Sequence, residues 1–212
     1  MTKLLFVLFS ILFAFVSNIF GSSNLNPDLH SPTTYHVKVN EGNDSNSGIS
    51  PTDAFRSIQK AAEMAQPGDT VLVYAGTYRE RVKPPRGGTS ENARITYMAN
   101  PGDHVIITAL DIWSPTWFRD STLYYAKPSD EMFTDSNYVD GGNPYKIGYF
   151  GSTDYCVGQV VVDGVEWNEQ TTKLNAMAAS DSWWADQKTG TIYINFGGSP
   201  TGRKVEITTR RG

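Results

Sequence analysis

The sequence Pro-Gly-Asp occurs twice in this chain, at 67–69 and 101–103, and each copy leads into a segment rich in β-branched residues. Proline, glycine and aspartate supply turn geometry, so each copy marks the start of a new strand. The recurrence indicates short strands at successive turns of one winding path. Such a coil cannot bury its own apolar face, so it must stack on neighbouring coils, and its first coil needs a cover.

A short amphipathic helix before the first copy supplies that cover. Ser57 is placed to cap the helix, and Pro67 ends it because proline disfavours helical geometry in the residue before it. The strand that follows, 70–78, is apolar at nearly every position, which predicts burial on both faces. The apolar residues of the helix recur at intervals of three and four and share one face: Phe55, Ile58, Ala62 and Ala65.

Further strand patterns lie on both sides of this region. The segments 35–39, 94–99 and 105–108 are predicted strands, and aromatic hairpins dominate the second half of the chain. One of these hairpins, 182–196, has its turn at Lys188-Thr189-Gly190. The segment 127–154 is too long for a plain connection in a compact domain, and such loops are usually functional or partly disordered.

The charge distribution excludes a nucleic-acid partner. The 212 residues include 18 basic and 22 acidic side chains, a net charge of −4, with no basic stripe to follow a phosphate backbone. Hydrophobic residues make up 39% of the chain, which is ordinary for a globular protein and predicts a core.

The first residues have the layout of a secretory signal peptide. Lys3 precedes an apolar run, 4–16, and small residues near Gly21 follow. An uncleaved membrane anchor is the alternative, but a membrane span needs about 20 apolar residues and this run is shorter. No stable span is therefore expected after cleavage. We expect 1–21 to be the signal peptide and 22–34 a linker, with the mature chain secreted, periplasmic or on the cell surface.

Cys156 is the only cysteine, so no internal disulfide can form. A reactive thiol and a small buried hydrophobe are alternatives, and the lack of a base beside it in sequence favours the buried residue. The polar loop 40–50 offers oxygens to a hard cation such as calcium. It lacks the spacing of a helix-loop-helix calcium site, which favours a solvated turn.

The order of several segments resembles a known family. "AFRSIQKAAEMAQPGDTVLVYAGTYRERVKPP", "VVVDGVEW", "SWWADQKTGTIYINF" and "KVEITTRRG" are similar to the start of secreted right-handed parallel β-helix proteins of carbohydrate metabolism. The pattern resembles most specifically glycoside hydrolase family 120, the β-xylosidases, in which a β-sandwich interrupts the β-helix. The first half alone is also similar to the N-terminal cap of polysaccharide lyases of family 9 and hydrolases of family 141.

The resemblance implies a mainly β fold. It starts as a right-handed parallel β-helix with an N-terminal capping helix and first coils (35–108), and continues as an inserted antiparallel β-sandwich-like package (109–212). It also implies a retaining glycosidase whose two carboxylates lie on coils after the sandwich, so no catalytic residue is expected here. The chain is short for both parts, so we expect a truncated N-terminal part of a longer protein; a complete small secreted β domain is the alternative.

Aromatic residues are the candidate substrate contacts. Trp113 and Trp117, in loop-rich sequence, are the predicted sugar-contact residues, because flat aromatic faces stack on sugar rings; core packing is the alternative. Trp183 and Trp184 are neighbours in a strand and must point to opposite faces, so at most one of them joins the core.

Charged residues give weaker indications. Two carboxylate pairs, Asp163 with Glu166 and Asp181 with Asp186, fit turns better than acid/base catalysis. No metal site is predicted, because the three histidines lack ligand spacing. One strand face is basic, which favours a solvated face over a site for uronic acids: Arg79, Arg81 and Lys83.

Three functions remain open at this stage. The first is the N-terminal part of an exported β-xylosidase-like glycosidase, with an oligo- or polysaccharide as partner and no cofactor. The second is a polysaccharide lyase of the β-helix type, which would need calcium. The third is a non-catalytic secreted glycan-binding module. The oligomeric state is left open in all three.

Overall fold

The computed structural model describes residues 30–133, 142–148 and 153–210. Pro32–Gly212 form one compact unit. The fold is mainly β with few helices, as predicted. The predicted signal peptide, 1–21, and most of the predicted linker, 22–34, lie outside the described residues.

The first part of the unit consists of parallel strands. Three of them, β1 (Thr34–Val37), β2 (Thr70–Val73) and β4 (Thr96–Ala99), form one sheet in the order β1-β2-β4. Two more, β3 (Gly76–Arg79) and β5 (Val105–Thr108), form a second parallel pair. The strands are in register, so side chains at equivalent positions stack in columns, for example Val37, Val73 and Ala99.

The segment 70–78, predicted as one strand, is two strands in different sheets. The chain turns at Tyr74-Ala75, and Gly76 has φ 152°, a conformation that favours glycine. Along β2, buried side chains alternate with half-buried ones, so only one face of the strand is fully buried. The prediction of one continuous, doubly buried strand is therefore wrong, and the turn starts a second sheet.

Helix α1 (Ile58–Met64) covers this part, and Ser57 caps it as predicted. The Ser57 side chain accepts a hydrogen bond from the Lys60 N–H at 3.1 Å. The Glu80 carboxylate accepts from the N–H groups of Ile58 and Gln59 at 2.9 and 2.8 Å, which satisfies two further donors at the helix start. The buried face of α1 packs into a core with β1, β2 and β3.

Carboxylates in and beside the loop 40–50 accept hydrogen bonds from backbone N–H groups and do not surround an open cation site. Asp44 Oδ1 accepts from the N–H groups of Arg56 and Ser57 at 2.8 and 2.9 Å. Asp53 accepts from the N–H of Ser47 at 3.1 Å. These carboxylates therefore hold the approach to α1 in place. Among the described residues, no group of three metal-ligating side chains converges.

The second part is built from one antiparallel and one mixed sheet. Its strands are β6 (Leu110–Ile112), β7 (Phe118–Asp120), β8 (Leu123–Ala126), β9 (Val160–Val162), β10 (Val165–Glu166), β11 (Asn168–Glu169), β12 (Ser182–Asp186), β13 (Thr191–Asn195) and β14 (Val205–Thr208). The antiparallel sheet has the order β10-β9-β14-β6, and the mixed sheet, in which β11 and β12 are parallel, has the order β11-β12-β13-β8-β7. A second hydrophobic core lies in this part, with Trp183, Ile194 and Ile207 among its buried members.

A short helix in this part, α2 (Lys173–Ala178), has no counterpart in the sequence predictions. Thr172 caps it by accepting from the Asn175 N–H at 3.1 Å. The helix lies against the five-stranded sheet, where the Asn195 side-chain amide donates to the Ala176 carbonyl at 2.9 Å. Because α2 has six residues, its apolar pattern is too short to be recognised in sequence.

The two parts are joined by an ion pair across the sheets. Arg79 on β3 contacts Glu206 on β14 at 2.5 Å, and its side chain is only 23% exposed. The prediction of a solvated face is therefore wrong for Arg79. Within the described ranges, no helix has both the length and the apolar character needed to cross a membrane. The described strands do not form a closed solenoid, so the parallel β-helix stays a prediction.

Candidate functional site

Trp113 and Trp117, the predicted sugar-contact residues, lie together and pack on the second core. Their ring centroids are 5.0 Å apart in an edge-on arrangement, and Trp117 also meets Phe196 edge-on at 5.3 Å. Trp113 is 5% exposed, so its ring has no open face in this chain. Trp117 is half-buried. A sugar contact through these two residues stays a prediction, and in this structure both rings serve packing.

Trp183 and Trp184 point to opposite faces of β12, as predicted. Trp183 is buried in the second core and donates through Nε1 to the Trp167 carbonyl at 2.9 Å. Trp184 is half-buried on the other face of the same sheet. The outer face of the five-stranded sheet therefore carries at least one large aromatic side chain.

That outer face carries four aromatic residues in one line, which we call the aromatic row. Strand register places Phe118 opposite Tyr125, Tyr125 opposite Tyr193, and Tyr193 opposite Trp184. Successive ring centroids are 5.6, 5.2 and 5.3 Å apart, with interplanar angles of 31°, 27° and 41°. The row runs across four neighbouring strands, nearly perpendicular to them.

Helix α2 borders one side of the aromatic row. Lys173, its first residue, lies over the Tyr193 ring with Nζ 4.4 Å from the centroid. Lys173 also forms an ion pair with Asp120, and this hydrogen bond raises the pKa of Lys173. The Thr122 hydroxyl donates to the Met177 carbonyl at 3.0 Å, which ties the far end of α2 to the sheet.

Sequence reasoning missed the aromatic row because it considered the aromatic residues one strand at a time. Each strand shows only one or two outward rings, and the line appears when three cross-strand registers are known. The available signal was one aromatic residue in each of three strands: Tyr193 in "TIYIN", Tyr125 in "LYYA" and Trp184 in "SWWAD". Strand alternation puts these residues on one face once the strands are paired.

The first predicted carboxylate pair serves turns and ion pairs. Asp163, with φ 51°, accepts from the Lys204 N–H at 2.8 Å and pairs with Arg203 at 2.5 Å. The backbone hydrogen bond from Lys204, with help from Arg203, lowers the pKa of Asp163. Glu166 accepts from the Gln159 side chain at 2.9 Å. Both carboxylates therefore serve local contacts.

The second pair is also local. Asp186 accepts from the Lys188 N–H at 3.0 Å and from the Thr189 hydroxyl at 2.8 Å, which shapes the hairpin turn. Asp181 takes a left-handed conformation with φ 55° just before β12. The sequence interpretation of both pairs as turn residues agrees with these contacts.

Among the described residues, Glu169 on β11 is the carboxyl group whose pKa departs most from its ordinary value. Its two oxygens accept from the backbone N–H of Cys156 at 3.0 and 3.1 Å. Burial raises the pKa of Glu169 to about 7, although the Cys156 N–H acts in the opposite direction. Cys156 is a buried free cysteine, and burial raises the pKa of its thiol. The interpretation of Cys156 as a small buried residue is confirmed, and Glu169 anchors the loop that carries it.

Replacing Glu169 with glutamine should change how stability depends on pH. Between pH 4.5 and about 7 the folded protein binds more protons at Glu169 than the unfolded chain does, so this group's contribution to stability falls as pH rises. Glutamine still accepts from the Cys156 N–H but does not ionise. We therefore expect Glu169→Gln to gain stability relative to wild type as pH rises through this window.

The measurement is the urea midpoint of each protein across that pH range. Glu166→Gln is the matched control, because it removes one carboxylate from an exposed position on the same segment. Parallel pH curves for wild type and Glu169→Gln would show that the carboxylate does not titrate as inferred.

The comparisons with known proteins found matches among solved structures only. No family model and no curated protein sequence matches the chain. Among solved structures, the complex of XylC with xylose is 29% identical, with a TM-score of 0.71 over 85% of this chain and 32% of that chain. The chain thus spans about a third of the length of XylC. A structure described as a glycoside hydrolase is 11% identical, with a TM-score of 0.49 over 82% of this chain and 45% of that chain. The fold of this chain is thus one that occurs within a xylose-binding protein.

Proposed function

We propose that this chain is the N-terminal part of an exported, β-xylosidase-like retaining glycoside hydrolase that acts on polysaccharide fragments. The observation that carries the proposal is the likeness to XylC, whose structure contains xylose. In this proposal 1–21 is the signal peptide, 22–34 the linker, 35–108 the cap and first coils of a right-handed parallel β-helix, and 109–212 the inserted package.

The open end of the first part supports a continuing β-helix. β4 and β5 are the outer members of the two parallel sheets. Tyr97 on β4 and Ile107 on β5 are 37% and 56% exposed, although they stand in the same columns as the buried Val71 and Tyr78. A further coil pairing with β4 and β5 would bury them.

The same end also contains a cavity of about 340 Å³. Nearly all of its lining side chains are apolar, as in the interior of a stacked coil, and a following coil would fill it. The lining residues are Ile58, Val73, Val82, Pro84, Tyr97, Met98, Ala99, Val105 and Ile107.

A retaining glycosidase uses two carboxyl groups about 5–5.5 Å apart, one as nucleophile and one as acid/base. Asp186 shapes a turn, Asp163 forms an ion pair, and Glu169 holds the Cys156 backbone. We therefore assign neither role to this chain. Its part in the proposed enzyme is to close the first coil with α1 and to present the inserted package beside the later coils.

The test is to express the longest reading frame that contains this chain and to assay it with an aryl β-xyloside and with a polyuronate. We expect hydrolysis of the xyloside with the β-anomer of xylose as first product, since retaining enzymes conserve configuration. The chain of 212 residues alone is the matched control and should release no aglycone. Calcium-dependent cleavage of the polyuronate would instead support the lyase, and a folded protein with neither activity would support the binding module.

A further inference from the structure

The aromatic row is a large aromatic surface that the core does not use. Phe118, at one end, is 56% exposed, and the other three residues are each half-buried, so part of every side chain in the row is accessible to solvent. The rings lean on one another at 27° to 41° rather than lying in one plane, which gives a ribbon of ring edges and partial faces. Stacking within the row keeps the rings ordered before any ligand binds.

We propose that the aromatic row is a binding strip for one chain of an uncharged, β-linked pyranose polysaccharide of the xylan type. This inference rests on the proposed function for the class of sugar. The strip is separate from the predicted contacts Trp113 and Trp117, which pack on the second core, and it binds substrate without reacting with it.

The spacing of the rings suits a linear glycan. Neighbouring strands lie about 4.8 Å apart, and the ring centroids follow at 5.2 to 5.6 Å. This separation is close to the length of one pyranose residue in a β-1,4-linked chain. Successive sugars can therefore contact successive rings. Because the rings are tilted relative to one another, the row suits a single twisted glycan chain better than the flat surface of a crystalline polysaccharide.

The polar groups at the edges of the rings suit the hydroxyl groups of a sugar. In the described part of the chain, the hydroxyls of Tyr125 and Tyr193 and Nε1 of Trp184 donate to no protein acceptor. Tyrosine and tryptophan combine an apolar ring with one polar group at its edge, which is what a sugar with an apolar face and peripheral hydroxyls requires.

The charges beside the row indicate an uncharged ligand. On the α2 side, Lys173 is paired with Asp120, so its charge is compensated. On the other side, Asp186 lies on the same face as Trp184, two residues along β12. Its carboxylate would repel a uronic acid chain. The surroundings of the row therefore favour a neutral xylan and disfavour polyuronate.

The experiment is affinity electrophoresis of the full chain in gels containing neutral arabinoxylan, with titration calorimetry against xylohexaose. Trp184→Ala removes the ring at one end of the row and Tyr193→Val removes a central ring, and valine keeps strand propensity at the second site. We expect each variant to bind about tenfold more weakly, as when an aromatic anchor is truncated. Tyr155→Ala removes a ring that is 45% exposed outside the row and should bind like wild type.

Three results would overturn the proposal. One is xylan binding that Trp184→Ala and Tyr193→Val leave unchanged, with both variants shown to be folded by circular dichroism. Another is binding to polygalacturonate equal to that for arabinoxylan. The third is wild-type self-association that both variants abolish without any xylan binding, which would make the row a contact between two copies. Xylan binding is measured on this chain alone, whereas xyloside hydrolysis is measured on the longer reading frame. A negative binding result therefore does not decide whether the proposed function is correct.

Discussion

Replacing Trp183 with alanine should lower the free energy of unfolding by about 3–5 kcal/mol, the usual cost of deleting a large buried aromatic side chain. Trp183 is 2% exposed and meets the Tyr145 ring edge-on at 5.9 Å. Its Nε1 donates to the Trp167 carbonyl at 2.9 Å. The substitution leaves a cavity between the strands and an acceptor without its donor, and both effects destabilise the folded state. Urea unfolding of the full chain, followed by near-ultraviolet circular dichroism, measures the loss.

Trp184→Ala is the matched control, since it makes the same chemical change at the next position of the same strand. Trp184 lies on the outer face, and its ring contacts Tyr193 at 5.3 Å. We expect a loss of about 1 kcal/mol, the scale of one cross-strand pair. Equal losses for the two variants would contradict the assignment of one tryptophan to the core and one to the surface.

The opposite orientation of these tryptophans could be predicted because it depends only on strand alternation. Helix α1 could be predicted for the same reason: the Ser57 cap, the apolar stripe and Pro67 all lie within one short segment. Local signals of this kind specify an element without reference to the rest of the chain.

The division of 70–78 into β2 and β3 could not be predicted, because it depends on distant partners. β2 pairs with β1 and β4, whereas β3 pairs with β5. The Tyr78 hydroxyl lies 3.0 Å from the Val37 carbonyl oxygen and 2.9 Å from that of Tyr74, a contact that forms when the chain has turned. An apolar run alone does not show where such a turn lies.

The candidate site was harder to predict than the fold for a related reason. The aromatic row exists because three strand pairings bring Phe118, Tyr125, Tyr193 and Trp184 to the same level of one sheet. A shift of one residue in any pairing would move a ring to the other face. Loop-rich sequence favours Trp113 and Trp117 as sugar contacts, but in the structure Trp113 lies in the second core and Trp117 packs against it.

Replacing Arg79 with alanine should lower the free energy of unfolding by about 1.5–3 kcal/mol, the range for hydrogen bonds that involve charged groups. Arg79 on β3 donates to the Leu110 carbonyl at 2.6 Å and to Glu206 on β14 at 2.5 Å. The Glu206 side chain is 9% exposed, so the loss of Arg79 leaves a buried carboxylate with one remaining partner, Lys204, at 3.1 Å. Urea unfolding measures the change.

Two variants test whether this loss comes from the geometry of the pair. Arg79→Lys should recover only part of the stability, because an ammonium group cannot reproduce the planar fork that contacts both acceptors. Arg94→Ala removes an exposed ion pair with Glu91, whose side chain is 82% exposed, and should cost less than about 1 kcal/mol. A full recovery in Arg79→Lys would show that charge alone, rather than the two directed bonds, joins the sheets.

The effect of Arg79→Ala should also depend on pH. Burial by itself raises the pKa of Glu206, but hydrogen bonds and charge interactions with Arg79 and Lys204 outweigh it and hold the pKa below its ordinary value of 4.5. A lowered pKa contributes stability that is present above the ordinary value and is lost as pH falls through the folded-state value. The difference between wild type and Arg79→Ala should therefore be largest near neutral pH and shrink as pH falls below 4.5. A difference that stays constant between these conditions would mean that Arg79 stabilises the protein through Leu110 and packing, and that the Glu206 charge contributes little.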